Sequence, residues 1–342
     1  MSLTVQGFML IDVDVVALNN AGKDAATTLE NAVAAKKITK GRKTYAYVSG
    51  QAWRYWWRET LKKNFDWNVS PVTREKKIAF TEANPVIYDD DDMFGYMRAA
   101  KEEKKNITLT RVSPLKNSAL IAVSPTNIVQ NWSSMSRQEG DAVPYGKDEY
   151  CATMKGMFSI ALDQVGTFSS EERTGFKNFN EALTKLAVEK GAEVIDDPFA
   201  KNKKGEPLKL HRLEKAVRTR RVLDTLLALE IMSGGAMQTS NMGDVTPKLI
   251  VLTLLNSGNH PFSHLAKDDL GKPVFSVPAL KQVTDDYADR IPGKVHIGRR
   301  MGFMDELEDD LKAFAADADH VSYGSIHEAV RGFVQDVETN MP

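Results

Sequence analysis

The chain carries a single cysteine, Cys151, and only six histidines in 342 residues. One thiol excludes an intramolecular disulfide framework and fits a reducing compartment. Cys151 has no sequence context for a nucleophile and reads as a small buried residue. No uninterrupted apolar run approaches the ~20 residues that a membrane helix needs. The opening stretch, MSLTVQGFMLIDVDVV, lacks a basic segment and holds Asp12 and Asp14 in its apolar part, so it does not read as a signal peptide. A cytoplasmic protein with no membrane partner is expected. P-loop, Rossmann and Gly-x-Ser-x-Gly signatures are missing too. His260 and His264 have the spacing of a metal pair, but Pro261 interrupts the helical turn they would need and no third ligand is near. No cofactor, no metal and no catalytic set is expected.

Net charge is also scarce, at −1, which argues against a protein that coats nucleic acid with its whole surface. The charge is segregated, however. Residues 31–63 hold nine Lys or Arg against Glu59 alone, and residues 201–221 hold nine more against Glu206 and Glu214. Acids gather at Asp89–Asp92, expected as a solvated loop, and from Asp305 to Asp319. Local fields of this kind steer charged ligands more than the sum does.

Residues 5–18, which alternate apolar with polar through Ile11–Val15, read as a strand that ends at Asn19-Asn20-Ala21-Gly22. A helix is expected from about Gly50 to Lys63, then weak signals over 65–107 with a helix at 95–105. Extended segments follow at 108–123 and 153–168, separated by a polar loop at 130–149. A helix at 171–190, a basic hairpin at 199–210, a long helix at 211–233 and a buried strand at 246–255 complete the pattern. The order is β-α-β-β-α-β with long insertions, an α+β arrangement of the ferredoxin-like kind. It is shared with the RNA-recognition domain, here without the aromatic RNP motifs.

Two stretches could carry function. In SGQAWRYWWRETL, a helical wheel puts Gln51, Arg54, Tyr55, Arg58 and Lys62 on one stripe and Trp53, Trp56, Trp57 and Thr60 on the other. The tryptophans are expected in the core. Ser49 stands at the N-cap, where first-turn N–H groups attract anions, and the arginines would extend such a site along a phosphodiester chain. The second stretch, Gly234 to Asn241, is either a helix C-cap with a polar loop or a set of contacts to phosphate and 2′-hydroxyl.

Taken in order, these motifs resemble the Cas-seven family of the RAMP superfamily, the backbone subunits of Cascade-type CRISPR complexes, and its DevR-like branch most. The resemblance rests on Leu18-Asn19-Asn20 ending the first strand and on the basic stretch Lys36–Lys43 leading into Val48-Ser49-Gly50-Gln51-Ala52-Trp53-Arg54 with Arg58. Further on lie Phe94-Gly95-Tyr96-Met97, Arg111 before Ser113-Pro114-Leu115, the strand over 156–168, and the Gly235–Asn241 loop after a long helix. It implies one RRM-like palm over residues 1–342, with insertions at 65–107 and 124–149, a thumb hairpin at 195–212 or else at 130–149, and a C-terminal extension over 266–342. It implies binding to the guide RNA (crRNA) backbone by Asn19, Lys37, Arg42, Lys43, Ser49, Gln51, Arg54, Arg58, Arg111 and the loop residues Gly235, Met237, Gln238, Thr239, Ser240 and Asn241. Further copies in a head-to-tail filament, other Cascade subunits and target DNA paired to the guide would be the partners. The family's RNA-cleaving branch uses an aspartate after the first strand; here LNNAGKDAA leaves Asp24, and cleavage is not expected. The alternatives are a RAMP-type endoribonuclease and an assembly protein whose basic stripe meets an acidic partner.

Overall fold

A first strand buried on both faces from Thr4 to Ile11 decides the architecture. The computed structural model describes residues 2–23, 32–75, 78–102, 105–135, 139–141, 143–171 and 177–342. Strand β1 (Thr4–Val16) sends Val5, Met9, Ile11 and Val13 into one core cluster and Phe8 and Leu10 into another on the opposite face. It is the centre of a twelve-stranded sheet. Helix α1 (Gly50–Asn64), strand β2 (Leu120–Ala122), strand β3 (Val143–Ala161), helix α2 (Lys215–Leu227) and strand β4 (Leu249–Leu255) follow in the expected order. Their spatial order, β4-β1-β3-β2 with antiparallel neighbours, is the split βαβ sheet. The hairpin of Lys37–Lys40 and Lys43–Val48 extends the sheet beyond β2. Strands β5 (Val295–Arg299) and β6 (Val321–Gly324), mutually parallel, extend it beyond β4.

The first cluster lies between the sheet and α1, α2 and helix α3 (Ile326–Asn340). Trp53, Trp56, Trp57 and Thr60 are all buried there, as the wheel requires. Trp53 stacks on Trp57 with centroids 5.6 Å apart, and Trp57 meets the edge of Phe158 at 5.2 Å. Gly7 makes room for that ring: a Cβ on it would lie 2.2 Å from the Phe158 Cζ. Each buried aromatic contributes a few kcal/mol through area alone, about 25 cal/mol per Å².

The C-terminal extension is not an appendage. Its Phe275, Leu280 and Phe314, with Phe262 and Leu265 just before it, close over Phe8, Leu10, Leu249 and Val251 on the second face. Three expectations fail locally. The helix expected at 95–105 is a hairpin of Tyr96–Glu102 and Lys105–Arg111, with Tyr96 anchored by its hydroxyl to the Asn178 carbonyl. The polar loop at 130–149 is an arm in which Val129–Met135 pairs with the first residues of β3. Cys151 is exposed, because β3 turns it to the open face, where the Val15 N–H meets its Sγ at 3.3 Å. The basic hairpin is Glu193–Lys201 paired with Pro207–Arg212. Among the described residues no helix is long and apolar enough to cross a membrane.

Candidate nucleic-acid interface

Leu18 and Asn19, just past β1, join three segments that are far apart in sequence. The Asn19 Oδ1 accepts the Ser49 N–H at 3.0 Å, and its carbonyl accepts the Lys36 N–H at 2.8 Å. The Leu18 carbonyl accepts the Ala236 N–H at 3.0 Å. Ser49 is extended, as an N-cap must be, and its Oγ accepts the Ala52 N–H at 3.2 Å. Asn117 holds the helix start from the other side, donating to the Gly50 carbonyl at 3.1 Å. The helix thus points its first-turn N–H groups, the positive end of its dipole, past Ser49 and the exposed Gln51.

The 235–241 loop is built by its own polar groups. Gly235 has φ +104°, and a Cβ there would lie 2.7 Å from the Leu18 side chain, so only glycine fits. Met237 and Met242, both left-handed, bracket a single turn, Gln238–Asn241. Gln238 turns inward and donates to the carbonyls of Gly234 and Gly243, the latter at 3.2 Å. Its amide is spent on closing the loop and is not presented to a ligand, contrary to expectation. Thr239 and Ser240 remain exposed on the outer side. The Asn241 amide donates to the Glu149 Oε1 at 3.2 Å.

The third segment is the hairpin of Lys37–Lys40 and Lys43–Val48. Gly41 and Arg42 have φ of +55° and +66°, the two-residue turn that matches strand twist. Lys40, Arg42 and Lys43 are exposed around it, and Lys37 lies 3.8 Å from Asp148 with half its side chain in solvent. Six residues of strand separate Lys43 from Ser49, about 20 Å at 3.3 Å per residue. Cations and helix N-terminus therefore lie along one track.

Three arginines expected on that track are turned away from it. Arg54 donates to the carbonyls of Leu115 and Phe94, the Asn117 Oδ1 and the Ser113 Oγ, all within 2.9 Å. Burial lowers its pKa to about 10, and the guanidinium stays charged at neutral pH. Arg58 grips Asp90 at 2.7 Å, and Arg111 grips Asp92 at 2.6 Å beneath Phe168. The supposed solvated acidic loop is the reason. Asp89–Asp92 are buried, at most 3% exposed, in the helix Asp89–Phe94. Asp89 accepts from Arg220 and Arg221, both at 2.7 Å, and Asp92 from Arg221 at 2.8 Å as well as from Arg111. Three carboxylates, Asp89, Asp90 and Asp92, and four guanidinia thus tie α1, α2 and the insertion together. The second basic run is accordingly half internal; its exposed part is the lysine-bearing hairpin. Asp24 lies outside the described residues. Among the described residues no cluster of His, Cys, Asp or Glu is arranged to hold a metal.

Residues 8–270 match the family described as CRISPR-associated negative auto-regulator DevR/Csa2. The chain belongs to this family. Two solved structures share its fold over almost the whole length. One, titled CRISPR RNA-guided surveillance complex, is 11% identical with a TM-score of 0.52 and covers 98% of this chain and 99% of that one. The other, titled CRISPR RNA-guided surveillance complex, pre-nicking, is 12% identical with a TM-score of 0.54, covering 97% of this chain and 99% of that one. No curated protein matches the chain.

In this DevR/Csa2-family chain, the sheet face that an RNA-recognition domain uses for base stacking is covered where β1 and β4 meet. Phe8 and Leu10 are 0% exposed beneath the C-terminal extension. The candidate interface is therefore the edge where the strand ends, the α1 N-terminus and the 235–241 loop converge. Sequence reasoning missed the residues that fix this edge, Asn117, Asn131, Lys147 and Glu149, because the contacts that tie them to it are remote in the chain: Asn117 and Gly50 are 67 residues apart, and Glu149 and Asn241 are 92.

Proposed function

We propose that the chain is a repeated, non-catalytic backbone subunit of a CRISPR surveillance complex, and that it holds the guide RNA by its phosphates along this edge. The observation that carries the reading is the convergence on Leu18 and Asn19 of the α1 N-cap, the start of the Lys37–Val48 hairpin and the 235–241 loop. N–H groups, hydroxyls and lysines of this kind grip a backbone without reading bases. A subunit that must hold any guide needs that, since target DNA is then read by base pairing. Further copies would adjoin head to tail along the guide, with other Cascade subunits completing the complex.

Arg42→Ala/Lys43→Ala removes two exposed cations from the track. Titration of a labelled single-stranded RNA at several salt concentrations should show a log–log slope shallower by about 1.4, at ~0.7 per phosphate contact. The loss should be alike for a mixed sequence and a homopolymer. An unchanged slope would refute the assignment. Metal-dependent cutting of target RNA at regular spacing, abolished by Asp24→Ala, would instead establish the endoribonuclease.

A further inference from the structure

A carboxylate lies inside an interface that should repel it. Glu149, 7% exposed, receives hydrogen bonds from three separate places. Its Oε2 accepts from the Asn131 amide at 2.7 Å, and its Oε1 accepts from the Lys147 ammonium at 2.6 Å and from the Asn241 amide at 3.2 Å. Asn131 and Lys147 face each other across the arm, whereas Asn241 ends the turn of the candidate RNA loop. Burial works against its charge, but the hydrogen bonds from Lys147, Asn131 and Asn241 and the Lys147 charge hold the carboxyl below its usual range. Glu149 is therefore an anion at neutral pH, with its lone pairs committed to linking the arm to the loop.

We infer that Glu149 is a positioning residue for RNA binding: it latches Asn241, and with it the exposed Thr239 and Ser240, to the arm. This rests on the reading of the 235–241 loop as an RNA contact. Charge and latch make opposite predictions. Removing a negative charge beside bound phosphates strengthens binding if electrostatics alone matters. Removing the latch weakens it, because the loop must then be ordered at the cost of binding energy.

The test uses the full chain, a fluorescent single-stranded RNA of mixed sequence and anisotropy at fixed salt, with circular dichroism to confirm folding. Glu149→Ala should bind roughly fivefold to tenfold more weakly, about the net worth of one hydrogen bond. Glu149→Gln, which keeps an acceptor for Asn241, should fall between it and the parent, and serves if the alanine variant does not fold. In an Asn241→Ala background, Glu149→Ala should cost nothing more. Binding equal to or tighter than the parent's in both variants overturns the latch, as do losses that multiply in the double variant. If the parent chain binds no RNA, the interface reading fails, and the latch is then judged by hydrogen exchange of amides 237–242. Faster exchange in Glu149→Ala or Glu149→Gln upholds it, and unchanged exchange overturns it.

Discussion

Replacing Arg221 by Met should unfold this protein more readily than any surface charge change. Arg221 is 1% exposed and donates to Asp89 at 2.7 Å, to Asp92 at 2.8 Å and to the Pro85 carbonyl at 3.0 Å. Burial alone would lower its pKa, but Asp92 and Asp89 outweigh that and raise it. The methionine fills much of the volume yet leaves two carboxylates, 3% and 0% exposed, with one guanidinium each. Breaking a buried pair in this way costs about 3–5 kcal/mol. Remaining partners, Arg220 for Asp89 and Arg111 for Asp92, place the expected loss toward the lower end, near ~3 kcal/mol. Urea denaturation followed by tryptophan fluorescence measures it, with Asp309→Ala, an exposed acid on the helix Glu308–Asp317, as the control expected within about 0.5 kcal/mol of the parent. The difference should persist at high salt, since buried pairs are poorly screened. A loss below about 1 kcal/mol, or one that disappears in salt, would mean that Asp89–Asp92 behave as the solvated run their sequence suggests.

Asp91 is the odd member of that run, because no arginine reaches it, although its Oδ2 accepts the Asn84 N–H at 2.8 Å. Burial raises its pKa against the opposing hydrogen bonds from Thr81 and Asn84. A raised carboxyl pKa gives stability that is complete below the unfolded value of ~4 and is lost as pH rises through the folded value. Asp91→Asn should therefore gain on the parent as pH climbs from about 4, measured as the difference in urea midpoint. Arg54→Ala should cost about 2–4 kcal/mol of stability by stranding four acceptors, so any loss of RNA binding in that variant reports on folding and not on a missing phosphate contact.

Local periodicity carried what it could. The tryptophan stripe of α1, its Ser49 cap and the alternation of β1 are short-range patterns, and the structure places Trp53, Trp56 and Trp57 where a 3.6-residue repeat puts them. The order β-α-β-β-α-β followed from the same signals. What failed depended on distance. Four consecutive aspartates look solvated because acids are rarely buried unpaired, and their partners lie as far away as Arg221, 132 residues on. Arg54 belongs to the polar stripe, but the segment 113–117 folds over it and consumes its donors. Gln238 suits a phosphate contact by type, yet its amide closes its own loop. Convergence of the Asn19, Ser49 and Ala236 segments was legible only as a list of family-like motifs, and three hydrogen bonds made it a place.

That place can be tested directly by hydrogen–deuterium exchange of the full chain with and without a single-stranded RNA of mixed sequence. Slower exchange confined to amides around 19–20, 40–43, 49–52 and 235–242, with the strands beneath the C-terminal extension unchanged, is the predicted result. Protection lying instead on the 193–212 hairpin and the C-terminal helices, or absent while RNA is bound, would contradict the interface drawn here.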